Sequence, residues 1–192
     1  MITKAIMLIC VIIYVCINFI EKDSDKASLA IKYGALYPPR VEIKKEYWRL
    51  LTSNFVHVDI LHIAMNLYGI YYLGTFFEMY LGTFPYIYLV LVSCLATTGL
   101  TYIMALKDYS LENKITLGAS GIFYGYLGAM IALGVLLQGV YLDLLKDYMM
   151  VIVINIAFTF MNVRVSKTGH LGGLFGGFIA VAVLIWTGIC VY

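Results

Sequence analysis

The chain has 192 residues, of which 62% are hydrophobic and 12% charged, and its mean hydropathy of +0.91 lies outside the range of soluble globular domains. This composition describes an all-α membrane protein of single-domain length, residues 1–192. The formal net charge is +2 and no basic run is interleaved with aromatic residues, which argues against nucleic acid as a partner.

A transmembrane helix needs roughly 20 mostly apolar residues. In chain order the apolar segments are about 3–20, 56–82, 84–106, 116–138, 146–163 and 168–191. The first follows Lys4 and runs directly into the charged EKDSDK with no small-residue cleavage site beside it, so it reads as a retained helix rather than a signal peptide. Between the first two segments lies the longest polar stretch, Glu21 to about Asn54, which includes the Pro38-Pro39 pair and the interface-like EYWRLLTSNF. The fifth segment is the weakest, being interrupted by Asp147 and Asn155. Cys10, Cys16, Cys94 and Cys190 all fall in apolar surroundings without metal-ligand or CxxC spacing, and read as small buried hydrophobes. The expected architecture is a compact six-helix bundle with one large structured first loop.

Unsatisfied polar groups are costly in a bilayer, so those that persist pair with one another or line a wet cavity. The three histidines, His57, His62 and His170, sit near the starts of apolar segments. His62 and Asn66 are four residues apart and share a helix face. Ser120 opens the fourth segment and His170 the sixth. In a six-span bundle the even-numbered helices run in the same direction, so His62, Asn66, Ser120 and His170 are expected in one layer. Gly121 and Gly125 on the fourth segment, with Gly169, Gly173 and Gly177 on the sixth, have the small-residue spacing that lets transmembrane helices approach closely. Docking those faces would bring the Ser120 hydroxyl to the His170 imidazole, with Tyr124 on the same face against the ring.

A serine hydroxyl becomes a competent nucleophile when a base accepts its proton, and histidine is the usual base near neutral pH. No acid stands at an orienting position on either helix, so the arrangement reads as a Ser120–His170 dyad, with Tyr124 orienting the ring in place of an aspartate. The side chains of His62 and Asn66, with the backbone N–H of Ser120 at a helix N-terminus, would supply oxyanion donors. The implied reaction is peptide hydrolysis through an acyl-enzyme. Each piece alone also fits helix packing or an interfacial histidine; their meeting in one layer is what packing does not require.

Together these residues resemble the rhomboid family of intramembrane serine proteases. The resemblance rests on Trp48-Arg49 in the first loop, His62-Ile-Ala-Met-Asn66, Gly118-Ala119-Ser120-Gly121 followed by Tyr124, and His170-Leu-Gly-Gly173 with Gly177. It implies Ser120 as nucleophile and His170 as general base. It further implies that His62, Asn66 and the Ser120 N–H stabilise the oxyanion, with Gly118 in the supporting loop, and that Tyr124 stacks on His170. Trp48, Arg49 and Glu78 would be structural, and His57 would match a non-catalytic histidine of some members. No cofactor or metal is implied. The implied partners are single-span membrane substrates and membrane lipid, in the inner membrane of a bacterium. A relative that binds membrane helices without cutting them is the alternative reading; against a transporter, the six spans show no repeated halves, and against a zinc site, the sequence has no HExxH.

The family's usual orientation, with the N-terminus in the cytoplasm, conflicts with the distribution of charge. It leaves Lys4 and Lys146 on the cytoplasmic side and the other eleven Lys and Arg outside, seven of them in the first loop and its approach to the second segment, the reverse of the positive-inside rule.

Overall fold

The computed structural model describes residues 1–21, 25–163 and 165–189; Lys22, Arg164 and Cys190 lie outside the described residues. Among the described residues, six helices are long and apolar enough to cross a membrane: α1 (Ile2–Ile20), α5 (Ile60–Leu81), α6 (Thr83–Lys107), α7 (Ser120–Leu137), α8 (Val140–Met161) and α9 (Lys167–Trp186). Among the described residues of the first loop are three short α-helices, α2 (Lys26–Lys32), α3 (Pro38–Lys44) and α4 (Arg49–Thr52), the last running into a 3-10 turn, Ser53–Phe55. The chain is therefore an integral, multi-pass, all-α bundle.

Local chemistry sets the helix starts. Asp25 caps α2 by accepting the N–H of Ser28 at 2.9 Å, and Pro38 takes the first position of α3, where a missing N–H costs nothing. Asp59 accepts the N–H of His62 at 2.9 Å, which moves the start of α5 from the expected residue 56 to Ile60. Ser166 accepts the N–H of Gly169 at 3.0 Å and opens α9. The fourth span begins at Ser120 rather than 116 because Thr116 and Leu36 pair backbone to backbone at 2.9 Å in both directions. The fifth begins at Val140, six residues before expectation, with Lys146 and Asp143 paired at 2.8 Å on its first turns. The sixth ends at Trp186, short of the expected 191.

Arg49 organises the first loop. Its guanidinium is buried and pairs with Glu46 at 2.6 Å while donating to the carbonyls of Ile31 at 2.6 Å and Ala35 at 3.0 Å. Trp48 covers it, with the guanidinium carbon 4.4 Å from the ring centroid. Thr52 donates to the carbonyl of Gly34 at 2.9 Å. Glu78 near the end of α5 accepts the N–H groups of Ile2 at 2.6 Å and Thr3 at 2.9 Å, satisfying donors of the first turn of α1 that have no intrahelical partner.

Burial identifies the central helix. In α7, 67% of the span is buried, against 17% in α8 and 22% in α1. Gly173 and Gly177 of α9 press against the carbonyls of Gly121 and Gly125 so closely that a Cβ at either position would overlap the oxygen. Thr97 and Ser93 of α6 occupy the space beside Gly121 and Gly125 from the other direction. Gly169, expected in the same ladder, faces Ser166 and Thr101 instead; it belongs to the cap of α9 rather than to the helix contact. Backbone contact at Gly173 and Gly177 fixes the register of α9 on α7, and that register positions the site.

Candidate active site

Ser120 is the first residue of α7 and His170 lies in the first turn of α9. The glycine contact brings these two N-terminal turns side by side. Ser120 Oγ stands 3.0 Å from His170 Nε2, within hydrogen-bonding range. Tyr124, one turn into α7, lays its ring on the imidazole with centroids 4.1 Å apart and planes inclined by 14°. His170 is buried, so every polar atom of its ring needs a partner.

The second ring nitrogen has one. His170 Nδ1 is 2.9 Å from Thr159 Oγ1, on the last turns of α8. Tyr124, expected to orient the ring, contributes its face; its hydroxyl, with one proton to give, lies within hydrogen-bonding reach of both the carbonyl of Asn155 and Thr159 Oγ1. The edge contact at Nδ1 thus comes from a different helix. Asn155 and Thr159 are one turn apart on the span that the sequence shows as weakest. That spacing marks a polar face, but nothing in it points to an imidazole eleven residues further on.

The oxyanion candidates converge on Gly118. Its φ is +112°, a region glycine adopts without cost, and a Cβ there would meet His62 Cε1 at 2.6 Å and Nε2 at 2.8 Å. The His62 ring therefore lies against the Gly118 Cα. The same Cβ position is 3.6 Å from Asn66 Nδ2, so both side chains from α5 sit at the loop leading into Ser120. The N–H of Ser120, at the start of α7, has no carbonyl one turn back within its helix. Gly118 N–H donates to the carbonyl of Ser53 at 3.0 Å, tying this loop to the first.

His57 occupies the floor of the site. Its Nε2 accepts the backbone N–H of Ala119 at 3.1 Å. A backbone amide only donates, so Nε2 is unprotonated and Nδ1 carries the proton, which it donates to the carbonyl of Phe55 at 3.3 Å. Burial, with a smaller push from neighbouring His62, holds the His57 pKa down at about 3, in keeping with a neutral ring. Asn66 Nδ2 donates to the same Nε2 at 3.0 Å, leaving its second N–H free. The sequence identifies His57 as a histidine near a span; that it grips the loop before Ser120 emerges only from the fold.

Among the described residues, no group of three or more His, Cys, Asp or Glu side chains could hold a metal ion. The polar set is a hydroxyl, an imidazole and several N–H donors, a composition suited to acyl transfer.

Comparison with known proteins agrees with this reading of the fold. Residues 44–187 match the rhomboid domain. The chain is 31% identical over 140 residues to rhomboid protease GluP of Bacillus subtilis, covering 72% of this chain and 26% of that protein. It is 31% identical over 157 residues to the mitochondrial RHOMBOID-like protein 6 of Arabidopsis thaliana, covering 80% and 49%. Rhomboid protease GlpG of Haemophilus influenzae is 28% identical over 182 residues, covering 93% and 88%. The chain thus spans a quarter to a half of the length of the first two of these relatives and most of the third. With that match over three-quarters of its length, the chain belongs to the rhomboid family.

Proposed function

We propose that this protein is an intramembrane serine endopeptidase that cleaves single-span membrane proteins within or beside the transmembrane segment. The observation that carries the reading is the 3.0 Å contact between Ser120 Oγ and His170 Nε2. The names of GluP and GlpG as rhomboid proteases support it.

In this mechanism His170 Nε2 takes the Ser120 proton as Oγ attacks the scissile carbonyl carbon. The carbonyl π electrons move to oxygen, and the oxyanion is held by the Ser120 N–H, the His62 ring and the free N–H of Asn66. Collapse of the tetrahedral intermediate breaks the C–N bond, and the imidazolium gives its proton to the leaving amine. Water then repeats the sequence on the acyl-enzyme, again with His170 as base. Tyr124 supports one face of the imidazole throughout. A bacterial inner membrane is the proposed location, with lipid surrounding the bundle.

The test needs no knowledge of the natural substrate. Detergent-solubilised protein is treated with a fluorophosphonate probe and the modified residue is mapped. Labelling at Ser120 that disappears in His170→Ala supports an activated serine. Folded wild-type protein that neither labels nor cleaves a panel of single-span substrates would overturn the proposal in favour of a non-catalytic, helix-binding role.

A further inference from the structure

A dyad leaves one question of proton placement. An imidazole that accepts at Nε2 must carry its proton at Nδ1, and in a buried site that N–H needs an acceptor. Neither α7 nor α9 provides a carboxylate there.

We propose that Thr159 is a positioning residue whose Oγ1 accepts Nδ1–H of His170, holding the imidazole in the tautomer that presents an unprotonated Nε2 to Ser120. This rests on the protease reading and adds a residue to it. Thr159 Oγ1 is 2.9 Å from Nδ1 and 2.9 Å from the Asn155 carbonyl, to which it donates. A hydroxyl has one proton and two lone pairs. With its proton committed to a carbonyl, which can only accept, Thr159 Oγ1 is left as an acceptor towards its other neighbours. Those are His170 Nδ1 and the Tyr124 hydroxyl, which also lies within reach of the Asn155 carbonyl. Thr159 is buried, so water does not compete for the ring nitrogen. Tyr124 restrains the imidazole through its face and Thr159 through its edge; together they remove both rotations that would carry Nε2 away from Ser120. Thr159 touches no reacting atom, and its effect passes entirely through His170.

The test uses the full chain in detergent. Thr159→Val keeps the branched shape and removes the acceptor; Thr159→Ser keeps the hydroxyl. Nitrogen-15 spectra of histidine-labelled protein, with only three histidines to assign, read the tautomer directly. The wild type is expected to show the Nδ1–H form at His170 and Thr159→Val to lose it. With a cleavable single-span substrate, Thr159→Val is expected to lower kcat by roughly ten- to hundredfold with KM little changed, and to slow fluorophosphonate labelling in parallel. Thr159→Ser is expected to restore most of both.

An active wild type whose Thr159→Val variant labels and cleaves at the same rate would overturn this proposal and leave the protease reading intact. An Nε2–H tautomer in the wild type would also overturn it. An inactive wild type would remove the protease reading; the tautomer and its loss in Thr159→Val would still establish the hold of Thr159 on His170.

Discussion

His57 Nε2 accepts the backbone N–H of Ala119 at 3.1 Å, so a side chain from the segment before α5 holds the residue that precedes Ser120. Asn66 shares the same nitrogen. One neutral imidazole thereby links the loop that presents Ser120 to the helix that carries His62 and Asn66. Its neutrality has a measurable consequence. The His57 pKa is depressed from 6.5 to about 3 by burial and by His62. Between those values the unfolded chain binds a proton that the folded protein does not, so this contribution to stability is complete above pH 6.5 and is lost as pH falls towards 3. The slope reaches about 1.4 kcal/mol per pH unit. His57→Leu removes the titrating group, and it leaves Ala119 N–H without its acceptor at a cost of about 1–3 kcal/mol. Thermal unfolding in detergent from pH 7.5 to 4.5 is expected to show a less stable variant whose melting temperature falls less steeply on acidification. Parallel curves would exclude His57 as a buried neutral group.

Asn66 and the dyad are expected to differ in the size of their effects. Ser120→Ala and His170→Ala remove the proposed nucleophile and base, and each is expected to abolish cleavage in a folded protein. Asn66→Ala removes one of the three proposed oxyanion donors and is expected to lower kcat by about 10²- to 10³-fold while leaving measurable turnover. Steady-state rates on a single-span substrate check all three. An unchanged rate in Asn66→Ala would restrict its role to bridging α5 and His57.

The fold was legible in the sequence to the extent that apolar length and small-residue spacing carry it. Six apolar runs gave six spans, and Gly121, Gly125, Gly173 and Gly177 marked the contact that sets Ser120 against His170. Helix ends were less legible, because they depend on which polar residue caps and which loop pairs across the structure. Asp59 displaced one start by four residues, and the Leu36–Thr116 pairing displaced another. In the site, residues on the even spans were expected together from chain direction alone. Thr159 was not, since it lies on an odd span whose depth and rotation no periodicity reveals. Its hydroxyl also has a routine use in any membrane helix, donating to the carbonyl four residues back, which hides a second partner.

Two glycines in the bundle are expected to respond in opposite directions. At Gly177 a Cβ would overlap the Gly125 carbonyl, a backbone atom that cannot rotate away. Gly177→Ala is therefore expected to force α9 off α7 and to cost about 1–3 kcal/mol, with loss of the Ser120–His170 contact and of activity. At Gly99, inside α6, a Cβ meets nothing within 4 Å. Gly99→Ala is expected to be neutral or to stabilise by up to about 1 kcal/mol through helix propensity. Thermal unfolding of the two variants side by side tests the packing, and equal tolerance at both positions would contradict it.

Orientation in the membrane sets which compartment meets the site. The polar residues of the site lie at the ends of α5, α7, α8 and α9 that share the side of the first loop, with His57 just before α5. The charge count places that loop in the cytoplasm, and the resemblance to the family places it outside. Lys32 and Arg40 pair with Glu21 at 2.5 Å and Glu46 at 3.5 Å, and Arg49 is buried against Glu46; three of the loop's cations are thus ion-paired within it. The expected orientation is with the loop outside. Lys44 and Asp143 are exposed at opposite ends of the bundle. In a cysteine-free background, Lys44→Cys is expected to react with an impermeant maleimide added to intact bacterial cells, and Asp143→Cys only after permeabilisation. The reverse pattern would turn the site to the cytoplasm, and cleavage would then release the cytoplasmic rather than the external part of a substrate.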